Sequence, residues 1–296
     1  MGDNPIMKAI GLGPTDRAAI FHVDDVGMCL ASIEAFLELW DFGTVSSGAL
    51  MAPCPWFREA AARCAKRSEL DLGIHATLTS EWAGYRWGPV STRKVSSGLL
   101  DAEGCLPHGC AEVQAKARPR AAARELAAQA DMIAGAGIDP THIDTHMGAV
   151  AHPKFMRAYV GQALARKIPA MLPRPGAAGF EIILPDAEAR ASFAPTLEAL
   201  EAKGLPLLDG IVAMPLDEPR DQLETARRLV GSLPAGVTHF ILHASTDGPE
   251  LRAIAPDWES RVWNYRTFRS DAFKRLIESE GIHVIGYRAL RDAMRR

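Results

Sequence analysis

The chain reads as a parallel α/β protein, in its simplest form a closed or partly closed (β/α) barrel of the TIM-barrel type. Short β-rich runs alternate with helical patterns almost from end to end, eight strand candidates can be counted, and four of them end in polar groups. Strand–helix alternation implies parallel strands joined by crossover helices, and eight strands suit a barrel. A doubly wound open sheet is the alternative.

The expected strands are Ala18–Val23, Ser47–Met51, Leu70–Thr77, His142–His146, Pro169–Leu172, Leu207–Ala213, Thr238–His243 and His283–Tyr287. Helices are expected over Ile33–Trp40, Trp56–Lys66, Arg120–Ala136, Pro153–Lys167, Pro195–Lys203, Asp221–Leu233, Asp271–Glu280 and Ala289–Arg295. The stretch 121–136 is rich in Ala, Leu, Glu and Gln, strong helix formers, and Gly137 supplies a stop. One segment breaks the rhythm. Thr79–Pro119, after the third strand, is long and rich in Gly, Ser and Pro, with Trp82, Tyr85 and Trp87 near its start. An insertion of that length in a compact domain is a functional loop or a disordered one, and the aromatic residues favour an ordered lid. The chain divides into an N-terminal arm, residues 1–17, and a single barrel domain, residues 18–296.

Composition narrows the function. With 48% hydrophobic and 23% charged residues the chain is an ordinary globular one. A formal net charge of -3 supports no nucleic-acid partner. No apolar run approaches the roughly 20 residues of a membrane span. The first residues carry Asp3 with Gly and Pro and do not resemble a signal peptide. The five cysteines are odd in number and form no CxxC pair, which argues against a zinc ribbon or a thioredoxin-type motif. Reduced thiols and a cytoplasmic location are expected. No GxGxxG opens the first helix and no Walker lysine motif occurs, so a nucleotide-dependent enzyme is disfavoured.

The informative polar residues sit at strand ends. Asp24 and Asp25 close the first strand, His75 lies on the third, His142, Asp144 and His146 on the fourth, and His243 on the seventh. In parallel α/β folds the C-terminal strand ends converge on one mouth. His142, Asp144 and His146 are spaced by two and share one face of their strand. At about 3.3 Å per residue, His142 and His146 differ in depth by roughly 13 Å, so one ion cannot easily take both from a straight strand. His146, nearest the mouth, is the better ligand unless the strand bends. A set of Asp and His ligands leaves coordination positions for water, as catalytic sites do, and suits Zn²⁺, Co²⁺, Ni²⁺ or Mn²⁺ better than Ca²⁺.

The segments FHVDDVGM, SSGALMAPCP, LGIHATLTSEW, THIDTHMGAVAHP, LPRPG and FILHAS, in this order and spacing, resemble the YdjC-like carbohydrate deacetylases, which include chitooligosaccharide and hopanoid-biosynthesis deacetylases. The resemblance runs from about Ala18 to Ala293. It implies a distorted (β/α) barrel that binds a divalent metal, with Mg²⁺ also admitted, and removes N-acetyl groups from amino sugars or oligosaccharides. Carried onto this chain, Asp25, His75 and His146 would be the metal ligands, Asp24 the general base and His243 the general acid. Arg174, in LPRPG, would position Asp24 or the substrate, and His142 and Asp144 would support the ligands from behind. Trp82, Tyr85 and Trp87 either stack on sugar rings or pack the loop onto the barrel. The chain departs from the family pattern at Gly148 and Val150, where further histidines are common, and at Ala244-Ser245, where Pro-Gly is common. Those departures leave the metal triad intact and the pocket rim, hence the substrate, open. The expected partner is a small N-acetylated sugar, and a homodimer is compatible with the sequence. The competing readings are a metal-dependent hydrolase of a phosphoester or cyclic amide, and a non-catalytic carbohydrate-binding relative.

Overall fold

The computed structural model describes residues 3–296. Its strands are β1 (Arg17–Val26), β2 (Ser47–Leu50), β3 (Leu72–Ala76), β4 (Ile143–Thr145), β5 (Pro173–Ala178), β6 (Leu208–Ala213), β7 (Gly236–Leu242) and β8 (His283–Val284). The helices are α1 (Pro5–Ala9), α2 (Leu30–Phe42), α3 (Phe57–Cys64), α4 (Cys110–Lys116), α5 (Pro119–Gly135), α6 (Pro153–Arg166), α7 (Phe180–Ile183), α8 (Ala187–Glu201), α9 (Leu223–Gly231), α10 (Pro249–Ile254), α11 (Trp258–Phe268), α12 (Asp271–Ser279) and α13 (Tyr287–Met294).

Seven parallel strands lie in the order β4-β3-β2-β1-β7-β6-β5. The two outer strands of this series approach one another through the residues leading into β5. Ile143 bridges Ala170 in parallel, and Met171 N donates to Ile143 O at 2.8 Å. Leu208 N donates to Leu172 O at 3.0 Å, so this lead-in touches both β4 and β6 and curls the sheet into a distorted barrel. The eighth expected strand shrinks to two residues. His283 and Val284 pair with Ala18 and Ala19, low on the β1 edge whose upper part pairs with β2 at His22↔Ser47. Its role is to fill the wedge that opens there.

The barrel interior and the helix–sheet layer share one core. Phe21 and Phe240 are register partners on β1 and β7, and their rings lie 5.2 Å apart. Phe268 and Phe273 from α11 and α12 pack on Phe21 at 5.8 and 5.5 Å. Each such fully buried ring contributes about 1.5–3 kcal/mol. The residues expected as the N-terminal arm pack on this core, where α1 buries Ile6 and Met7. Its cap residue Asn4 donates to Asp209 Oδ2 at 2.7 Å.

The long insertion is ordered by α5. That helix turns Glu125 and Gln129 inward, where Glu125 accepts from Val90 N (2.9 Å) and Ser91 N (2.8 Å). Gln129 exchanges two hydrogen bonds with the Thr77 backbone just past β3. Five helices escaped the sequence pattern: α1, α4, α7, α10 and α11. Four are short. The fifth, α11, reads WESRVWNYRTF and buries residues around its circumference, with no single apolar stripe to reveal it.

Candidate metal and catalytic site

The end of β1 is bent by one residue. Asp25 has φ 62, in the left-handed region that Asp tolerates better than most residues, and the β1–β2 register shifts between Val23 and Val26. On a regular strand neighbouring side chains point to opposite faces. The bend cancels that alternation, so both carboxylates reach His75: its Nε2 lies 3.3 Å from Asp25 Oδ1 and 3.9 Å from Asp24 Oδ2.

His75 and His146 arrive from neighbouring strands. β3 pairs with β4 at His75↔Asp144, and β4 ends at Thr145. His146 opens the turn that follows, where Met147 (φ 53) and Gly148 (φ 68) are both left-handed. The chain therefore bends after Asp144, and His146 swings toward the mouth while His142 stays deep in the barrel.

Asp25 Oδ1, His75 Nε2 and His146 Nδ1 form a nearly equilateral triangle. Their separations are 3.3 Å (Asp25–His75), 3.2 Å (Asp25–His146) and 3.3 Å (His75–His146). Donors bonded tetrahedrally to one ion at about 2.0–2.1 Å stand about 3.3–3.4 Å apart. All three residues are buried, and Asp25 Oδ1 has no hydrogen-bond partner among the described residues. An orphaned carboxylate oxygen beside two imidazole nitrogens is the donor set that a Zn²⁺-like ion takes, so the residues present fit a divalent metal.

Each of the three has its other polar atom tied to a charged partner. His75 Nδ1 lies 2.8 Å from Asp144 Oδ1, His146 Nε2 lies 3.1 Å from Glu81 Oε2, and Arg261 Nη1 donates to Asp25 Oδ2 at 2.7 Å. Arg261 is itself held by Asp257 at 2.9 Å. Burial works against the Asp25 carboxylate, yet Arg261, with His146 and His75, holds it well below the usual range. Burial also opposes charge on His75, but Asp144 and Asp24 prevail and raise it well above an ordinary imidazole. His146 is pushed up to about 9, Glu81 and Asp25 together outweighing burial.

Asp24 lies beside the triangle with Oδ1 fixed by His22 Nδ1 at 2.9 Å and Oδ2 3.8 Å from His243 Nε2. Its carboxyl is held low, burial being outweighed by His75 and by the His22 contact. His243 follows β7, its backbone N–H donating to Asn264 Oδ1 at 3.0 Å, and its Nδ1 is buried without a hydrogen-bond partner among the described residues. Burial lowers its pKa, with Asp24 and Asp25 pulling the other way.

Below these groups runs a second polar layer. His22 Nε2 meets His142 Nε2 at 2.8 Å, and His142 Nδ1 lies 3.0 Å from Thr141 Oγ1. The His142 ring is sandwiched between Tyr287, stacked at 3.9 Å, and Gly73, where a Cβ would come within 2.3 Å of the imidazole. Burial, then His22 and His239, depress His142 well below its ordinary pKa. His142 thus sits behind Asp24 through His22, whereas Asp144 sits behind His75.

Arg174 is placed elsewhere. The residues expected as the fifth strand, Pro169–Leu172, are its lead-in, and β5 begins at Pro173. Arg174 therefore stands near the start of the strand instead of beyond its end. It pairs with Glu201 at 2.7 Å and with Asp209 at 3.3 Å. Asp209 accepts from Val237 N, whose register partner is Ala18, about 20 Å along β1 from Asp24 at ~3.3 Å per residue. The structure does not bring Arg174 to the mouth.

The three loop aromatics do come to the mouth, mostly occupied by protein. Trp82 and Trp87 are only 7% and 3% exposed, with Trp87 Nε1 donating to Thr79 O and the Trp82 ring beneath Arg261 at 5.3 Å. Tyr85 is half-buried and its hydroxyl donates to Met28 O at 2.6 Å. As folded, the two tryptophans pack the loop onto the barrel.

Sequence reasoning missed Glu81, Arg261, His22 and Asn264. His22 carried a signal, standing two residues before Asp24 on the same strand face, and Glu81 lies within the quoted segment LGIHATLTSEW. Arg261 and Asn264 belong to α11, the helix without a stripe.

Fold and site together define a barrel-like α/β protein with a buried Asp/His centre, compatible with a metal ion, at the C-terminal ends of its strands. The chain belongs to the YdjC-like family: the profile described as YdjC-like protein matches residues 18–279. A carbohydrate deacetylase of Thermus thermophilus is 29% identical over 295 residues, covering 98% of this chain and 99% of the relative. A carbohydrate deacetylase of Geobacillus stearothermophilus is 32% identical over 137 residues, 46% of this chain and 52% of that one. A solved structure from Enterococcus faecalis, provisionally named a cellobiose-phosphate cleavage protein, superposes with TM-score 0.75 at 20% identity over 93% of this chain and 99% of its own. At that identity it speaks for the fold alone. No helix among the described residues is long and apolar enough to cross a membrane.

Proposed function

We propose that this chain is a metal-dependent hydrolase that removes an N-acetyl group from an amino sugar or oligosaccharide. The observation that carries the reading is the triangle of Asp25 Oδ1, His75 Nε2 and His146 Nδ1, 3.2–3.3 Å on a side, with Asp24 and His243 beside it. Relatives named carbohydrate deacetylase support removal of an acetyl group from a carbohydrate.

In this reading Asp25, His75 and His146 hold a divalent ion, Zn²⁺ or Mg²⁺ in the first place. When bound, that ion supplies Lewis acidity that acidifies water and steadies negative charge on the acyl oxygen. Asp24, fixed through Oδ1 by His22, takes the proton of the attacking water at Oδ2. His243 Nε2, 3.8 Å from that oxygen, donates a proton to the departing amine, a poor leaving group without one. Trp82 and Trp87, beside Arg261 and His146, wall the mouth.

The test is a metal-supplemented screen of acetate release from N-acetylglucosamine, N-acetylated chitobiose and lipid-linked amino sugars, run beside phosphate release from generic phosphoesters. Acetate release that disappears with chelation supports the reading. Phosphate release in its place, or tight sugar binding without turnover under every metal, overturns it.

A further inference from the structure

Two of the three groups around the triangle are supported by the long insertion. His75 is backed by Asp144, which lies on the neighbouring strand β4. His146 is backed by Glu81, third residue of the loop, and Arg261 packs over Trp82, the fourth. This corner of the loop is knotted in place. Ser80 N donates to Pro107 O at 2.8 Å, and Ser80 Oγ accepts from Trp87 N at 3.0 Å. The Arg86 side chain donates to Asp101 at 2.6 Å and to Leu106 O at 2.7 Å, drawing the two limbs of the loop together.

We propose that Glu81 is a positioning residue for the metal, and that through it the insertion sets how tightly the ion is held. An imidazole that ligates through one nitrogen is fixed in tautomer and ring angle by the acceptor on its other nitrogen, and a carboxylate there also makes it a stronger donor. Glu81 does both for His146. The ring needs such support, because the turn behind it, Met147 and Gly148, is left-handed and Met147 is half exposed. The strand holds one histidine ligand and the loop holds the other. This role presupposes that Asp25, His75 and His146 take a divalent ion.

The experiment titrates Zn²⁺ into metal-free protein against a chromophoric chelator, for wild type, Glu81→Gln, Glu81→Ala and Arg86→Met. It also records the visible spectrum of each Co²⁺-loaded protein. Removing such a carboxylate weakens metal affinity about 10–100-fold, so Glu81→Ala should fall in that range. Glu81→Gln, nearly isosteric and safe for folding, should lose less, and its Co²⁺ spectrum should differ from wild type. Arg86→Met, which loosens the loop without touching the triangle, should weaken affinity in the same direction. Unchanged Zn²⁺ affinity and Co²⁺ spectrum in both Glu81 variants, with only a lower melting temperature, would overturn the proposal and leave Glu81 a loop anchor. Failure of the underlying reading looks different: wild type and His75→Ala would then bind Zn²⁺ alike or not at all.

Discussion

Arg261 closes on Asp25 Oδ2 at 2.7 Å and leaves Asp25 Oδ1 facing His75 and His146. Both partners of this ion pair are buried. Breaking a buried pair by removing one side costs about 3–5 kcal/mol, because the remaining charge is stranded. Arg261→Met should therefore destabilise the metal-free protein by roughly that amount. A bound cation would take over the compensation, so added Zn²⁺ should raise the melting temperature of Arg261→Met more than that of wild type. Calorimetry with and without Zn²⁺ checks this, and equal gains would show that Asp25 does not depend on Arg261 for its charge balance.

Asp24 touches the triangle without being one of its corners. Asp24→Asn should keep stoichiometric metal and lose about 10²–10⁴ in turnover, the ordinary worth of a general base. His75→Ala should lose the metal itself. Elemental analysis beside acetate-release kinetics separates the two, and full activity in Asp24→Asn would remove Asp24 from the proposed mechanism.

Asn264 holds the backbone of His243 and is held by Gln222 Oε1, to which its Nδ2 donates at 2.7 Å. Asn264→Ala leaves the His243 N–H and Gln222 without those partners, at a cost of about 1–3 kcal/mol. Turnover should fall while Zn²⁺ affinity stays at the wild-type value, since no corner of the triangle touches Asn264. A matching loss of metal would mean that the helix supports the site as one block.

His239 is buried, with Nδ1 2.8 Å from the Tyr287 hydroxyl, and burial followed by His22 depresses its pKa well below 6.5. A depressed histidine is neutral in the fold and charges on unfolding. Its stabilisation is therefore complete above the unfolded pKa, near 6.5, and is lost as pH falls below it. Each such group contributes a slope of about 1.4 kcal/mol per pH unit there. His239→Gln should be less stable than wild type at pH 8 yet lose stability more slowly between pH ~6.5 and ~5. Parallel denaturant titrations at several pH values measure the two slopes, and identical slopes would place the proton of His239 elsewhere.

The barrel and the strand-end residues of the candidate site were legible because period-two spacing and strand-end polarity survive in one dimension. His142, Asp144 and His146 declared a shared strand face, and the depth argument separated His146 from His142 as the fold separates them. What could not be read were contacts made across the chain. Arg261 lies 236 positions from Asp25 on a helix with no stripe, and nothing local marks it. Arg174 was misplaced for a related reason. Pro169–Leu172 looks like a strand, yet its pairing stops at a bridge at Ala170 and a few hydrogen bonds to β4 and β6, and the true strand starts where the expected one stops.

The left-handed residue at the end of β1 also bears on how such a centre could be moved to another scaffold. Copying the Asp-Asp dipeptide onto a straight strand would send one carboxylate outward, whatever the sequence around it. The transplant must carry the kink at Asp25 and the register slip between Val23 and Val26 as part of the recipe. A β-branched residue at position 25 would resist that conformation, whereas Asn would accept it, so Asp25→Asn changes the ligand's charge while keeping the backbone that aims it.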